Sequence, residues 1–210
     1  MALTVQSLID AAALALLDAK HVRWKRSELL AYFNAGQRRL GELRPDQLVH
    51  PRDLVLTAGW RQELPADVQT LIDITNNVNT TSRRITKTDL WTLDAVAGGW
   101  RAMQPAREVL HFMYDLKAPR EFLVYPPAAA GIKVRALASS MPSDLSAETE
   151  APTVPERWMD ALLDFVLFRA YSKDAEYGGN AARAAAHLQL FHTALDVQVK
   201  TASEMAAPKN

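Results

Sequence analysis

The sequence contains no cysteine, and glycine is scarce, with eight residues in a chain of 210. The absence of cysteine excludes disulfide bonds, thiolate metal sites and thiol nucleophiles. The few glycines form neither a Walker loop nor a dinucleotide-binding fingerprint, and no Gly-x-Ser-x-Gly sequence is present. The chain therefore lacks common motifs of nucleotide-binding and hydrolytic enzymes.

An excess of charge of one sign is also lacking, because 24 acidic side chains balance 24 basic ones. Residues 1–50, 51–150 and 151–210 carry net charges of +2, −1 and −1. A dedicated nucleic-acid-binding protein normally carries a basic excess, so this balance argues against that class. The apolar stretch Ala11–Leu17 is far shorter than the roughly 20 residues of a membrane span, and no basic segment precedes it as in a signal peptide. The composition favours a soluble intracellular protein without a membrane partner.

The N-terminal stretch has helical periodicity. Apolar residues recur at three-four spacing from Val5 to Leu16, which predicts one amphipathic helix. A second helix is predicted over residues 28–43, with Ser27 as its N-cap. Pro45 is expected to end this helix, because proline suits no helix interior.

The middle of the chain has the shorter period of strands. A short helix is predicted around residues 90–96, capped by Thr88 or Asp89. The strand-like runs, bounded by glycine, proline and polar residues, predict an antiparallel meander; they cover residues 53–57, 60–64, 70–74, 108–115, 121–125 and 132–138.

The C-terminal third returns to helix after a segment rich in proline, serine and acidic residues. The run Trp158–Tyr177 is apolar almost all round, which predicts a central helix of a bundle. Gly178 and Gly179 end it, and a last helix follows Asn180. The residues predicted to form the core are Trp158, Leu162, Phe165 and Phe168.

Together these segments predict an α+β protein: a helical bundle built from the N- and C-terminal helices, with an inserted β-rich antiparallel subdomain. The predicted boundaries are 1–50 for the N-terminal helices, 51–141 for the β-rich insertion, 142–154 for a linker, 155–200 for the C-terminal helices and 201–210 for a flexible tail.

The sequence gives little support for a metal site or for a pair of carboxylates that performs acid–base catalysis. His187 and His192 are five residues apart, whereas a helical metal pair needs a spacing of three or four. Asp160 and Asp164 lie one helical turn apart, but the polar stripe of a buried helix explains them. We therefore expect no catalytic residue, metal or cofactor.

Basic side chains gather in two places that could contact DNA or an acidic partner. The alternative is a solvated loop in which Trp24 packs inward. The candidate contacts are Lys20, Arg23, Lys25, Arg26, Arg83 and Arg84.

Four blocks of sequence, in order, resemble head-to-tail adaptor (connector) proteins of tailed bacteriophages. The first is Arg23-Trp24 with Ser27-Glu-Leu-Leu-Ala-Tyr-Phe-Asn-Ala-Gly-Gln-Arg-Arg-Leu40 and Arg44-Pro45. The second is Arg61-Gln-Glu-Leu-Pro-Ala-Asp67 before Leu71-Ile-Asp-Ile74, and the third is Arg84-Ile-Thr86 with Asp89. The fourth is Val154-Pro155, the run Trp158–Tyr177 and the helix after the double glycine.

The resemblance implies a structural virion protein of the neck, made in the host cytoplasm, without enzymatic activity. Such adaptors form a dodecameric ring beneath the portal protein, extend the channel for genomic double-stranded DNA, and meet a downstream tail or nozzle protein. Their C-terminal segment often reaches the portal, which here implies docking through Phe191, Leu195, Val199, Thr201 and Lys209. Two alternatives remain open: another neck or tail-completion (stopper) protein, and a small phage DNA-binding or packaging factor.

Overall fold

The computed structural model describes residues 4–78 and 83–206, with side chains described up to residue 196. The helices are α1 (Val5–Ala15), α2 (Arg26–Leu43), α3 (Leu90–Val96), α4 (Met159–Lys173) and α5 (Asn180–Ala206). The strands are β1 (Val49–Val55), β2 (Gly59–Glu63), β3 (Val68–Val78), β4 (Thr86–Lys87), β5 (His111–Met113), β6 (Glu121–Ala128) and β7 (Lys133–Ser140). The predicted α+β class, with N- and C-terminal helices flanking a β-rich region, is confirmed.

The chain forms two compact units, one of which is discontinuous in sequence. The helical unit combines Met1–Arg44 with Pro142–Asn210, and the β unit is the continuous segment Pro45–Met141. Among the described residues, no helix is long and apolar enough to cross a membrane.

In the helical unit, α4 packs against α1, α2 and α5, so the prediction that it is the central helix is confirmed. Leu162 and Phe165 of α4 and Trp158, the residue just before it, are buried, whereas Phe168 is only partly buried, which corrects its assignment to the core. At Gly36 the backbone of α2 comes so close that an added Cβ would lie 2.9 Å from Phe165 Cδ1. A larger residue at this position would therefore separate the two helices.

Three helix ends differ from the sequence prediction. Helix α2 begins at Arg26, because the carbonyl of Lys25, and not the side chain of Ser27, accepts the first amide hydrogens. Helix α4 ends at Lys173 instead of Tyr177. The following residue, Asp174, binds Arg23 through its carboxylate. Helix α5 continues to Ala206, six residues past the predicted end.

The segment predicted as a linker has no regular structure but is fixed to α2. The buried side chain of Asn34 donates to Leu145 O at 2.9 Å and accepts from Leu145 N at 3.0 Å. Gln37 donates to Ser143 O at 2.7 Å, and Leu145 and Val154 are buried. Composition predicts the irregular backbone, whereas the two amide side chains that hold it lie more than 100 residues earlier.

The β unit contains two sheets instead of the predicted meander. One sheet has the antiparallel order β1-β7-β3, and the other has the order β2-β6-β5-β4, in which β4 and β5 are parallel. Apolar residues of both sheets form one core, which includes Leu71, Ile74, Val134, Phe122 and Val124. Strand β7 therefore leaves its neighbour in sequence, β6, because pairing in separate sheets buries apolar side chains of both strands between the sheets.

The short helix α3 is capped as predicted. Asp89 is its N-cap and accepts a hydrogen bond from the amide of Thr92 at 2.7 Å. The hydrogen bond from the Thr92 hydroxyl, together with this backbone bond, lowers the pKa of Asp89.

Replacing Phe165 with alanine is expected to lower the free energy of unfolding by about 3–5 kcal/mol, because the ring fills the contact between α2, α4 and α5. Urea denaturation measures the loss. Phe168→Ala is the matched control, since its ring is partly exposed and its truncation should cost clearly less. Equal losses in the two variants would contradict the central packing of α4.

Candidate functional site

The first basic segment is a rigid loop of the helical unit. The carboxylate of Asp18 accepts three backbone hydrogen bonds, from the amides of Val22, Arg23 and Trp24, at 2.8–2.9 Å. These bonds, with that of Trp24 the largest contribution, lower the pKa of Asp18. The indole of Trp24 is buried and donates to Ala170 O at 3.3 Å. The loop therefore follows the inward-packing interpretation.

The two arginines of this loop are neutralised inside the helical unit. Arg23 binds the carboxylate of Asp174 through two nitrogens, one at 3.0 Å. Arg26 binds Asp10 at 2.6 Å and Glu148 at 2.5 Å. Arg23 and Arg26 thus form ion pairs within the helical unit, and their contact with DNA or an acidic partner stays a prediction. Lys20 and Lys25 are exposed, and within the described chain neither forms an ion pair.

The second basic segment lies at one end of the β unit and is organised by a buried asparagine. The side chain of Asn77 is 1% exposed; its Oδ1 accepts from Val109 N and its Nδ2 donates to Val109 O, both at 2.9 Å. The Asn77 amide donates to Arg83 O at 3.3 Å, and Arg84 forms a β-bridge with Asn76. Arg83 and Arg84 are therefore anchored beside the end of β3, with exposed side chains.

Two further cations reach the same end of the β unit. Arg107 lies two residues before Val109, which binds Asn77, and Lys133 pairs in register with Val78, the last residue of β3. Both side chains are exposed. We call Arg83, Arg84, Arg107 and Lys133 the basic tip. Sequence analysis missed Arg107 and Lys133, because they are separated in sequence from the Arg83-Arg84 pair.

The basic tip also contains the arginines that the protein leaves unpaired. In the part of the chain described here, only Arg83, Arg84 and Arg107 lack an ion pair, a carbonyl acceptor and an aromatic neighbour. The other arginines form ion pairs (Arg23, Arg26, Arg38, Arg39, Arg52, Arg61, Arg101 and Arg135), donate to carbonyls (Arg44 and Arg120) or lie over rings (Arg157, Arg169 and Arg183). Glu108, the acidic residue beside Arg107, already has an interaction partner.

The residues predicted to dock onto the portal divide into two groups. Phe191 and Leu195 are buried in the helical unit, and the Phe191 ring lies 5.2 Å from that of Phe165. These two side chains belong to the unit's own core, which corrects their assignment to a docking surface. The side chains of Val199 and Thr201, and all of Lys209, lie outside the described residues.

The histidine and aspartate candidates form a small structural cluster. His187 Nδ1 lies 2.8 Å from Asp164 Oδ1, and its ring stacks on Tyr171 at 5.7 Å. Asp160 is exposed. Within residues 4–78 and 83–206, no group of three histidine or acidic side chains could hold a metal ion.

The ion pair of Arg23 with Asp174 predicts acid sensitivity. The hydrogen bond from Arg23 lowers the pKa of Asp174 below its ordinary value of 3.8. A carboxylate with a lowered folded-state pKa contributes stability above its unfolded-state pKa and loses it as the pH falls through the folded-state value. Asp174→Asn should therefore flatten the decline of melting temperature below about pH 4. Glu176→Gln, on an exposed neighbour, should leave the decline unchanged; the same flattening in both variants would contradict this account.

Replacing Asn77 with alanine should destabilise the β unit by about 1–3 kcal/mol, because the amide and carbonyl of Val109 lose the buried side chain that binds them. Urea denaturation provides the measurement. Asn76→Ala is the control, since that side chain bonds only within β3, to Thr75 and to the Asn77 carbonyl. An Asn77→Ala loss no greater than the control's would mean that this side chain does not hold the basic tip together.

No curated protein is significantly similar to the chain. The model of the family described as SU10 adaptor protein matches residues 3–209, in agreement with the resemblance to phage head-to-tail adaptors. Since this match covers nearly all of the 210 residues, the chain belongs to the SU10 adaptor protein family.

Proposed function

We propose that this protein is a structural component of the virion neck, a head-to-tail adaptor that forms a ring below the portal and extends the DNA channel toward the tail. The observation that carries this proposal is the family match over residues 3–209. The partners in this role are other copies of the chain, the portal protein, a downstream tail or nozzle protein, and the genomic DNA inside the ring. The role requires neither catalysis nor a cofactor.

Exposed apolar side chains on both units support a ring. A closed ring needs two different complementary patches on each subunit. Leu17 and Val22 of the helical unit are 94% and 78% exposed, and Trp91 and Val96 of the β unit are 80% and 81% exposed. Contiguous exposed apolar patches are typical of protein contact sites, and we propose that these residues belong to two such patches. We assign one patch to each unit, so that the helical unit of one copy meets the β unit of the next, with twelve copies expected from the adaptor resemblance.

The C-terminal end is the proposed portal-docking segment. Since Phe191 and Leu195 belong to the core, the docking residues lie beyond them, on the last turns of α5 and in residues 207–210. Each copy needs only a weak contact, because a ring that binds at many positions gains avidity.

Deleting residues 201–210 should leave the helical unit folded and the rings intact, while binding to the portal of the same phage falls sharply. The buried residues of α5 that pack on α4 precede the deletion, so the melting temperature should not change. Negative-stain electron microscopy counts rings, and co-sedimentation with portal particles measures binding. Full portal occupancy by the truncated protein would overturn the docking assignment, and a lower melting temperature would show that the segment belongs to the core.

The basic tip favours one different class, a small DNA-binding or packaging factor. The two functions differ in the affinity that we expect for duplex DNA. Phosphate contacts dominate nonspecific affinity for DNA, and salt weakens them. A duplex affinity of the isolated chain that persists at physiological salt, without ring formation, would favour the DNA-binding factor. Rings with weak, salt-sensitive affinity would favour the adaptor.

A further inference from the structure

We propose that the basic tip, Arg83, Arg84, Arg107 and Lys133, is a phosphate-binding surface for double-stranded DNA. This inference rests on the proposed function only for the source of the DNA, which is the genome in the neck channel. It goes further by assigning the contact to one end of the β unit and by excluding the basic loop of the helical unit.

The convergence of four cations is fixed by backbone pairing. Arg83 and Arg84 are held by Asn77 and Asn76, Arg107 precedes the segment that Asn77 binds, and Lys133 pairs with Val78. These anchors all lie on the last three residues of β3. The backbone positions of these four residues are therefore set before any ligand binds, and only the side chains need to be ordered on binding.

The distribution of counterions distinguishes this surface from the other basic surfaces. Elsewhere in the described chain the arginines have carboxylate, carbonyl or ring partners, even where they are largely exposed, as for Arg61 with Glu121 at 2.5 Å. At the basic tip, three arginines and a lysine on segments anchored to the end of β3 form no ion pair within the described chain. An external anion therefore meets cations that have no bound carboxylate there.

The chemistry of the side chains indicates phosphate. A guanidinium group binds phosphate oxygens through two parallel N–H donors, and an ammonium group adds a compact point charge. Such contacts carry no sequence information, which suits a channel through which every segment of a genome must pass. The small number of cations in each copy also keeps the contact weak enough for DNA to move.

The salt dependence of binding provides a quantitative expectation. With one phosphate contact from each of the four cations, affinity for a fluorescent duplex should fall about 150-fold between about 50 mM and about 200 mM salt, from a slope of about −0.9 for each contact. Fluorescence anisotropy of the full chain with a duplex of random sequence measures this slope.

The decisive comparison uses two triple variants with the same change in net charge. Arg83→Gln/Arg84→Gln/Arg107→Gln should lose most of the duplex affinity and about three quarters of its salt dependence, since Lys133 remains. Lys20→Gln/Lys25→Gln/Lys117→Gln removes three exposed cations elsewhere and should retain at least half of the wild-type affinity. Both variants should keep the wild-type melting temperature, because none of the six side chains is buried.

Several results would overturn the assignment. These are an absence of duplex affinity in the wild-type chain even at low salt, an unchanged slope in the arginine variant, and equal losses in the two variants. Equal binding to phosphatidylserine vesicles would also overturn it, since it would indicate a general anion surface. Ring counts on the same samples distinguish a failure of this inference from a failure of the proposed function. Normal rings with an unchanged slope refute only the assignment of DNA binding to the basic tip, whereas the absence of rings refutes the adaptor function.

Discussion

The close approach of α2 to α4 at Gly36 is the contact on which the helical unit depends. The two helices come from opposite sides of a long insertion, and the missing side chain of Gly36 leaves the space that Phe165 and Leu162 occupy. The neighbouring amides of Asn34 and Gln37 fix the segment that returns the chain from the β unit. One face of α2 therefore provides both the apolar contact and the polar anchors that close the discontinuous unit.

Electrical neutrality is achieved locally in this protein, and one region departs from it. Distant carboxylates neutralise Arg23, Arg26 and Arg38, and short-range partners do the same for Arg39 and Arg101. The balance of the whole chain therefore conceals a concentration of positive charge at the end of the β unit. The negative regional charge of residues 51–150 does not reveal it, because that sum carries no information on where the charges lie in the fold.

Local patterns allowed the α+β class, the central role of α4 and a cap of α3 at Thr88 or Asp89 to be predicted, because each depends on residues within a few turns of one another. The division of strands between two sheets depends on which strands pair across long stretches of sequence, and no local period encodes it. The same limit applies to the candidate site. Arg23 and Arg83 look alike in sequence, and their difference lies in Asp174, 151 residues after Arg23. Docking through Phe191 and Leu195 followed from the resemblance, whereas both side chains are buried and the Phe191 ring packs on Phe165 of α4.

The discontinuity of the helical unit has a consequence for the order of events during synthesis. Helices α1 and α2 leave the ribosome first. Asn34 is synthesised 111 residues before its partner Leu145, and Trp24 is synthesised 146 residues before its partner Ala170. The β unit is continuous in sequence and its last strand ends at Ser140, so all of its strands are synthesised before α4. The apolar faces of α1 and α2 therefore remain uncovered by α4 throughout this interval, which makes the nascent N-terminal helices the stage most exposed to aggregation and to chaperone binding.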